Sequence, residues 1–261
     1  MRAIAVASAF IVLSLAPAAS AQGEDDISSL EPNRGASASP VDLVPRLELR
    51  QSFAAFGGGV SLHDTTAEID IQFLNRVLLR YEGALRVVDT PSTQTSGFGD
   101  ARIQAVTVLA SSPTFLAVTI TGAVLDTASQ PALGAGKTQI LFGGGVAGKP
   151  LRWWLPFIIV LEQISVAGDP HRADVNQLSI DAASIVFGKG QTWYRLDLQP
   201  TVDFDAGTGR LFGELEVGRL LFGKTGLFMR AGTQLAGQHQ LDYSIEVGVR
   251  YLFRLSEPPA R

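Results

Sequence analysis

Three histidines are the first residues in this 261-residue chain whose chemistry could serve catalysis. His63 stands in the string Ser61-Leu62-His63-Asp64, where a carboxylate could orient the imidazole as a general base. A hydrolase also needs a nucleophile held beside that base, and no nucleophile motif accompanies His63, His171 or His239. The three histidines are also too far apart in the sequence to match the ligand spacing of a metal site. We therefore predict no catalytic residue, metal or cofactor.

A second candidate for chemistry is the glycine-rich string Leu133-Gly134-Ala135-Gly136-Lys137-Thr138, which ends like a phosphate-binding loop. Pro131 occupies the position that the first glycine of such a loop requires. The residues that follow also have the pattern of a strand, whereas a phosphate loop leads into a helix. We interpret this string as a flexible loop.

Charged residues form the third candidate, because they recur at every second position of several segments. In 192–204, Arg195 and Asp197 share one face of a strand, while Leu196 and Leu198 share the other. The charged faces could line a pore, and their candidate members are Arg80, Glu82, Arg86, Arg102, Asp181, Arg195, Asp197, Asp203, Glu214, Glu216, Arg230, Glu246 and Arg250. Two interpretations stay open: ion pairs that hold a narrow barrel closed, or a polar constriction that selects a small solute.

The segment Tyr243–Phe253 shows which kind of strand carries these charges. Its odd positions are all apolar or aromatic, whereas its even positions include Ser244, Glu246 and Arg250. A transmembrane barrel turns the apolar face outward to lipid, whereas a soluble sandwich turns that face into its core. Residues 246–253 also resemble the C-terminal signal that outer-membrane barrels present to their assembly machinery, which makes that machinery an expected partner.

The chain start predicts export. Residues 1–21 combine Arg2, an apolar run and a small-residue cleavage pattern at Ala19-Ser20-Ala21, which indicates a signal peptide. Residues 22–45 are polar, acidic and without periodicity, as expected of a disordered periplasmic arm. The whole chain carries a net charge of −4. Acidic and basic residues are nearly equal in number after residue 45, so nothing indicates nucleic-acid binding. The expected location is the outer membrane of a Gram-negative bacterium.

Alternating segments divide the rest of the chain. They predict an all-β fold: a closed antiparallel transmembrane β-barrel over residues 46–253, with a tail at 254–261. Short periplasmic turns and longer outer loops are expected to alternate between about twelve strands. The predicted strands are 47–56, 66–75, 76–88, 100–110, 114–125, 138–147, 152–165, 177–187, 192–204, 210–222, 226–235 and 243–253.

Two glycine-rich motifs add a family resemblance. Gly97-Phe98-Gly99-Asp100 opens one predicted strand, and Leu133-Gly134-Ala135-Gly136 precedes the strand after next. Over about residues 47–253 the chain resembles the bacterial outer-membrane proteins associated with the MetA pathway of phenol degradation, which are often labelled transporters. The resemblance implies a barrel and uptake of aromatic or hydrophobic compounds, and it brings no catalytic residues.

The functional hypothesis is a channel in outer-membrane lipid for passive uptake of a small solute. An outer-membrane lipid-modifying enzyme and a closed structural or adhesive barrel are the alternatives.

Overall fold

The computed structural model describes residues 44–74, 76–112, 114–148, 153–221, 224–238 and 241–253. The predicted signal peptide, all but the last two residues of the predicted arm, and the 254–261 tail therefore lie outside the described residues. No helix of the described residues has the length and apolar character needed to cross a membrane.

Strands make up most of the described chain. They are β1 (Arg46–Phe56), β2 (Val60–Leu74), β3 (Val77–Asp89), β4 (Gln94–Phe98), β5 (Ala101–Ser111), β6 (Phe115–Leu125), β7 (Lys137–Gly148), β8 (Trp154–Gly168), β9 (Asn176–Phe187), β10 (Thr192–Asp203), β11 (Thr208–Leu221), β12 (Thr225–Gly237) and β13 (Leu241–Leu252).

The strands form one antiparallel sheet that closes on itself. β1 pairs with both β2 and β13, so the first and last strands are neighbours. β4 and β5 pair with successive halves of β3: Leu85 lies opposite Phe98, and Val77 lies opposite Thr107. β4 and β5 therefore count as one interrupted strand, which gives the predicted twelve-strand barrel and confirms the fold.

The two ends of the barrel differ. The end where β1 begins and β13 finishes, here called the terminal end, has tight connections such as that from Leu74 to Val77. The opposite end, here called the loop end, carries longer segments such as 126–136 and 169–175. This agrees with the predicted alternation of short turns and longer loops.

The side chains alternate as the period of 2 requires. Leu49, Leu196 and Val247 lie on the outside and are 49–54% exposed. Asp181 and Asp197, on the inner face, are 0% exposed. Slipping a strand by one residue would exchange these two sets, so the register is strongly fixed.

Charged residues do not line the whole barrel interior. Most inward positions of β5–β8 form an apolar cluster that includes Val118, Ile159 and Leu161, each at most 2% exposed. This cluster explains why the sequence is apolar on both faces of β8. The outward apolar residues of β8, such as Ile158, lie on the barrel surface, and its inward apolar residues, such as Ile159, pack in this cluster.

Two boundaries near the loop end differ from the prediction. β2 begins at Val60 rather than residue 66, because Gly57–Gly59 make the turn from β1. Gly58 and Gly59 have φ values of 77° and 78°, a left-handed conformation that glycine adopts without strain. The short strand β4 lies in what the sequence predicted as a loop, 89–99.

Adjacent isoleucines on β8 test the assignment of the two faces. Ile159 is 0% exposed inside the barrel and Ile158 is 49% exposed outside. We predict that Ile159→Ala lowers the free energy of unfolding by about 2–5 kcal/mol, because it leaves a cavity in the interior. The matched control Ile158→Ala should cost less, since it leaves no cavity. Urea unfolding of protein refolded into lipid vesicles measures both, and the reverse order would refute the assignment.

Candidate functional site in the barrel interior

The catalytic string suggested by the sequence is not assembled. Ser61 and His63 lie on one face of β2, whereas Asp64 lies on the other and pairs with Arg86, Oδ1 to Nε, at 2.9 Å. The carboxylate nearest His63 is instead Asp89, whose Oδ2 lies 3.7 Å from Nε2. His171 lies exposed in the 169–175 loop, and His239 is outside the described residues.

All thirteen charged candidates lie on the inward positions of their strands. Eight of them are at most 9% exposed: Arg80, Asp181, Arg195, Asp197, Glu216, Arg230, Glu246 and Arg250. The other five are partly buried: Glu82, Arg86, Arg102, Asp203 and Glu214. Whether they line a conducting path remains a prediction.

The ion pairs around Arg50 include residues that the sequence analysis did not select. Arg50 contacts Glu48 and Glu68, each at 3.2 Å from Nη1, and Glu82 at 2.5 Å from Nη2. Arg46, on the same face of β1, donates from Nη2 to Glu68 at 2.9 Å. The alternation of Arg46, Glu48 and Arg50 with leucines is the signal that could have identified them.

This network also crosses the seam where the sheet closes. Glu48 on β1 accepts a hydrogen bond from Arg250 Nε on β13 at 2.5 Å. Arg230 on β12 then links Glu246, at 2.9 Å from Nη1, with Glu216, at 2.5 Å from Nε. The ion pairs therefore connect β1, β11, β12 and β13 inside the barrel.

Aromatic rings lie against the wall beside this network. A Cβ added at Gly218 would lie 2.1 Å from the Trp193 ring, and one at Gly248 would lie 2.3 Å from the Phe228 ring. These glycines therefore leave the space that each ring occupies on the neighbouring strand. The guanidinium of Arg230 lies 4.8 Å from the centroid of the Phe228 ring, a cation–π contact.

At the loop end, segment 126–136 folds inward and is held by Asp100. The Asp100 carboxylate accepts backbone hydrogen bonds from Ala135 at 2.7 Å, Ala128 at 3.1 Å and Thr127 at 3.2 Å. A Cβ at Gly134 would lie 2.5 Å from Asp100 Oδ1, so only glycine fits there without movement. The two glycine-rich motifs of the sequence thus meet through Asp100.

Two arginines hold the same segment by its carbonyl groups. Arg172 Nη2 donates to Pro131 O at 2.7 Å and to Gly134 O at 2.8 Å. Arg86 Nη1 donates to Leu133 O at 3.1 Å. The Leu133 side chain is 0% exposed and packs in an apolar cluster that includes Phe56. We call segment 126–136 with these contacts the latch.

The arrangement keeps most inward-facing side chains out of contact with water. The latch lies at the loop end, ion pairs occupy one side of the interior, and apolar side chains occupy the other.

Comparisons with known proteins show what the barrel resembles. No protein-family model matches the chain, and a search of curated proteins finds no match. Among solved structures, the NanC porin has a TM-score of 0.63 and 8% identity, covering 79% of this chain and 100% of that one. The COG4313 outer membrane channel from Pseudomonas putida F1 has a TM-score of 0.62 and 12% identity, covering 80% and 94%.

A third similar structure is a KdgM porin in complex with disordered oligogalacturonate, with a TM-score of 0.56 and 10% identity. It covers 80% of this chain and 99% of that one. At these identities the similarity shows a common fold.

The ion-pair network predicts a large cost for removing a shared carboxylate. Glu68 lies within 3.2 Å of a guanidinium nitrogen of Arg46, Arg50 and Arg80. Glu68→Gln should lower the free energy of unfolding by about 3–5 kcal/mol, since it leaves buried positive charge without its partner. The urea midpoint in lipid vesicles measures this loss.

The matched control for this change is Asp205→Asn, which removes a carboxylate from the exposed turn after β10. It should leave the midpoint nearly unchanged. Equal losses in the two variants would show that the interior ion pairs do not stabilise the barrel.

Proposed function

We propose that the protein is an outer-membrane channel of a Gram-negative bacterium that passes a small solute. The observation that carries the proposal is a closed barrel with apolar rows outside and charged rows inside. An apolar surface around a whole molecule is unfavourable in water but matches a lipid bilayer. The names of the similar structures, two porins and an outer membrane channel, also support this function.

The route to the membrane is part of the same proposal. Residues 1–21 serve as a signal peptide and 22–45 as a periplasmic arm. Residues 246–253 engage the barrel-assembly machinery. The terminal end then faces the periplasm and the loop end faces outward, as in barrels with short periplasmic turns.

An aromatic or hydrophobic solute is the finer part of the proposal. It is supported by the resemblance of the two glycine-rich motifs to the MetA-pathway family of phenol degradation. The apolar inner wall of β5–β8 is a second support, since it offers such a solute a surface on which to move. The separation of Ser61 and His63 from Asp64 supports a function without catalysis.

A closed structural barrel is the second candidate, and burial of the ion pairs favours it. Arg46, Glu48 and Glu68 are each 1% exposed, so no water-filled path touches them in this conformation. In the channel proposal, displacement of the latch is the motion that opens the loop end.

Planar-bilayer recordings test the channel, with Asp100→Asn as the informative variant. The amide presents an NH₂ group and one oxygen to three backbone N–H groups, so the latch is weakened. Losing about 1.5–3 kcal/mol of charge-assisted hydrogen bonding shifts a closed–open equilibrium by about tenfold or more. We expect rare single-channel steps in the original protein and about tenfold more open time in the variant.

Asp126→Asn is the control, because this substitution removes the same charge from an exposed residue of the same segment. It should behave as the original protein does. Arg172→Met provides a second test from the carbonyl side of the latch. If correctly refolded original protein and both latch variants give no steps, the channel proposal fails and the closed barrel is favoured.

A further inference from the structure

Three basic side chains lie on the outside of the terminal end, where the β9–β10 and β11–β12 turns are neighbours. Lys189 lies in the first turn, Lys224 directly precedes β12, and Arg219 lies near the end of β11. Arg219 is paired with Thr192 across β10 and β11, and Thr192 Oγ1 donates to Lys189 O at 2.9 Å. All three basic side chains are exposed, and we call them the basic patch.

The protein leaves the charges of the basic patch uncompensated. None of the three side chains forms an ion pair with a described residue. Lys137 at the loop end shows the contrast, because its Nζ lies 2.8 Å from Asp174 Oδ1. Between the patch and the middle of the barrel, the described outward positions of β9–β13 carry no carboxylate either. A negatively charged partner is therefore favoured at this place.

The patch is local, and the two ends of the barrel differ in the sign of their exposed charges. The β5–β6 connection at the same end, Ser112-Pro113-Thr114, carries no charge. The exposed charges of the loop end include the carboxylates of Asp126, Asp169 and Asp205. An anion is therefore attracted to the terminal end, and most strongly at the basic patch.

The surface next to the patch has the character of a lipid contact. Val217 and Leu227, on the outward rows of β11 and β12, are exposed and apolar. The rings of Phe187 and Tyr194 are also exposed, and they lie at the level where the outward rows meet the turns. Aromatic rings of this kind are typical of the headgroup level of a membrane. The patch therefore lies where lipid phosphates lie, with acyl chains along the apolar rows.

We propose that the basic patch binds the headgroup of an anionic phospholipid such as phosphatidylglycerol. Lysine and arginine near a membrane surface attract anionic headgroups, and phosphate oxygens accept charge-assisted hydrogen bonds from them. A zwitterionic headgroup binds less tightly, because its own cation lies beside the phosphate. The proposal goes beyond the channel function and rests only on the barrel lying in a membrane. In the orientation proposed above, the patch selects lipid of the periplasmic leaflet.

Tryptophan fluorescence reports lipid at the patch. Trp153 and Trp154, two of the three tryptophans, lie beside it, since Phe187 N, close to Lys189, donates to Trp153 O at 2.8 Å. The protein is refolded into vesicles of phosphatidylcholine and phosphatidylglycerol, with one of the two lipids brominated near the headgroup end of an acyl chain. Bromine quenches tryptophan on contact. We expect phosphatidylglycerol to bind at least about tenfold more tightly at low salt. About 1 M salt should remove most of this preference, because it screens exposed charges.

Lys189→Gln should lower the preference for phosphatidylglycerol by about fivefold, since it removes one of three cations. Lys189→Gln/Lys224→Gln should bring the binding of the two lipids close to equality. Arg76→Gln is the matched control, because it removes the same charge from an exposed residue of the β2–β3 turn at the same end. The control should keep the preference of the original protein.

A second measurement separates lipid binding from misfolding. In phosphatidylcholine alone, all variants should have the urea midpoint of the original protein, because the changed residues are exposed. Adding phosphatidylglycerol should raise the midpoint of the original protein and of Arg76→Gln, since a lipid that binds the folded barrel stabilises it. The midpoint of Lys189→Gln/Lys224→Gln should not rise.

Equal quenching by the two brominated lipids in the original protein would overturn the proposal. An equal loss of preference in Arg76→Gln and Lys189→Gln would also overturn it, because the attraction would then belong to the whole terminal end. A preference that appears only after Glu24, Asp25 and Asp26 are neutralised would assign the patch to the acidic segment 22–45 and reject the lipid. Selective quenching without channel steps would keep the lipid site and reject the channel. Channel steps without selective quenching would do the opposite.

Discussion

Pairing of β1 with β13 is the constraint on which the rest of this molecule depends. It leaves the sheet without a free edge, so the backbone hydrogen-bonding groups of both strands are satisfied within the barrel. Closure also turns the alternation of side chains into a division between inside and outside. The charged side chains of the inward rows can then be buried only if they meet one another across neighbouring strands.

The interior satisfies that requirement in two different ways. On β1–β3 and β10–β13, guanidinium and carboxylate groups pair with one another, with aromatic rings lying over glycines beside them. On β5–β8 most of the inward positions are apolar, and they pack together as a protein core does. The barrel therefore combines a charged wall and an apolar wall.

Contacts between distant parts of the chain decide how the loop end is closed. Asp100 bonds to the backbone of residues 127–135, and Arg172 bonds to the same segment from a different loop. Each motif was visible as a glycine-rich string, but their contact through a carboxylate was not. The Asp100 carboxylate leaves no room for a side chain at residue 134. This steric requirement produces no periodic pattern in the sequence.

The sequence by itself determined the barrel class, most strand positions and which face of each strand is charged, because a period of 2 is a local property. The inward charges of β1 and β2 were missed although they carry the same alternation, as at Arg46 and Arg50. Only the tertiary structure decided which charges pair, since register brings Arg250 to Glu48 from 202 positions away. It alone also revealed the apolar wall, because enclosure depends on every strand at once.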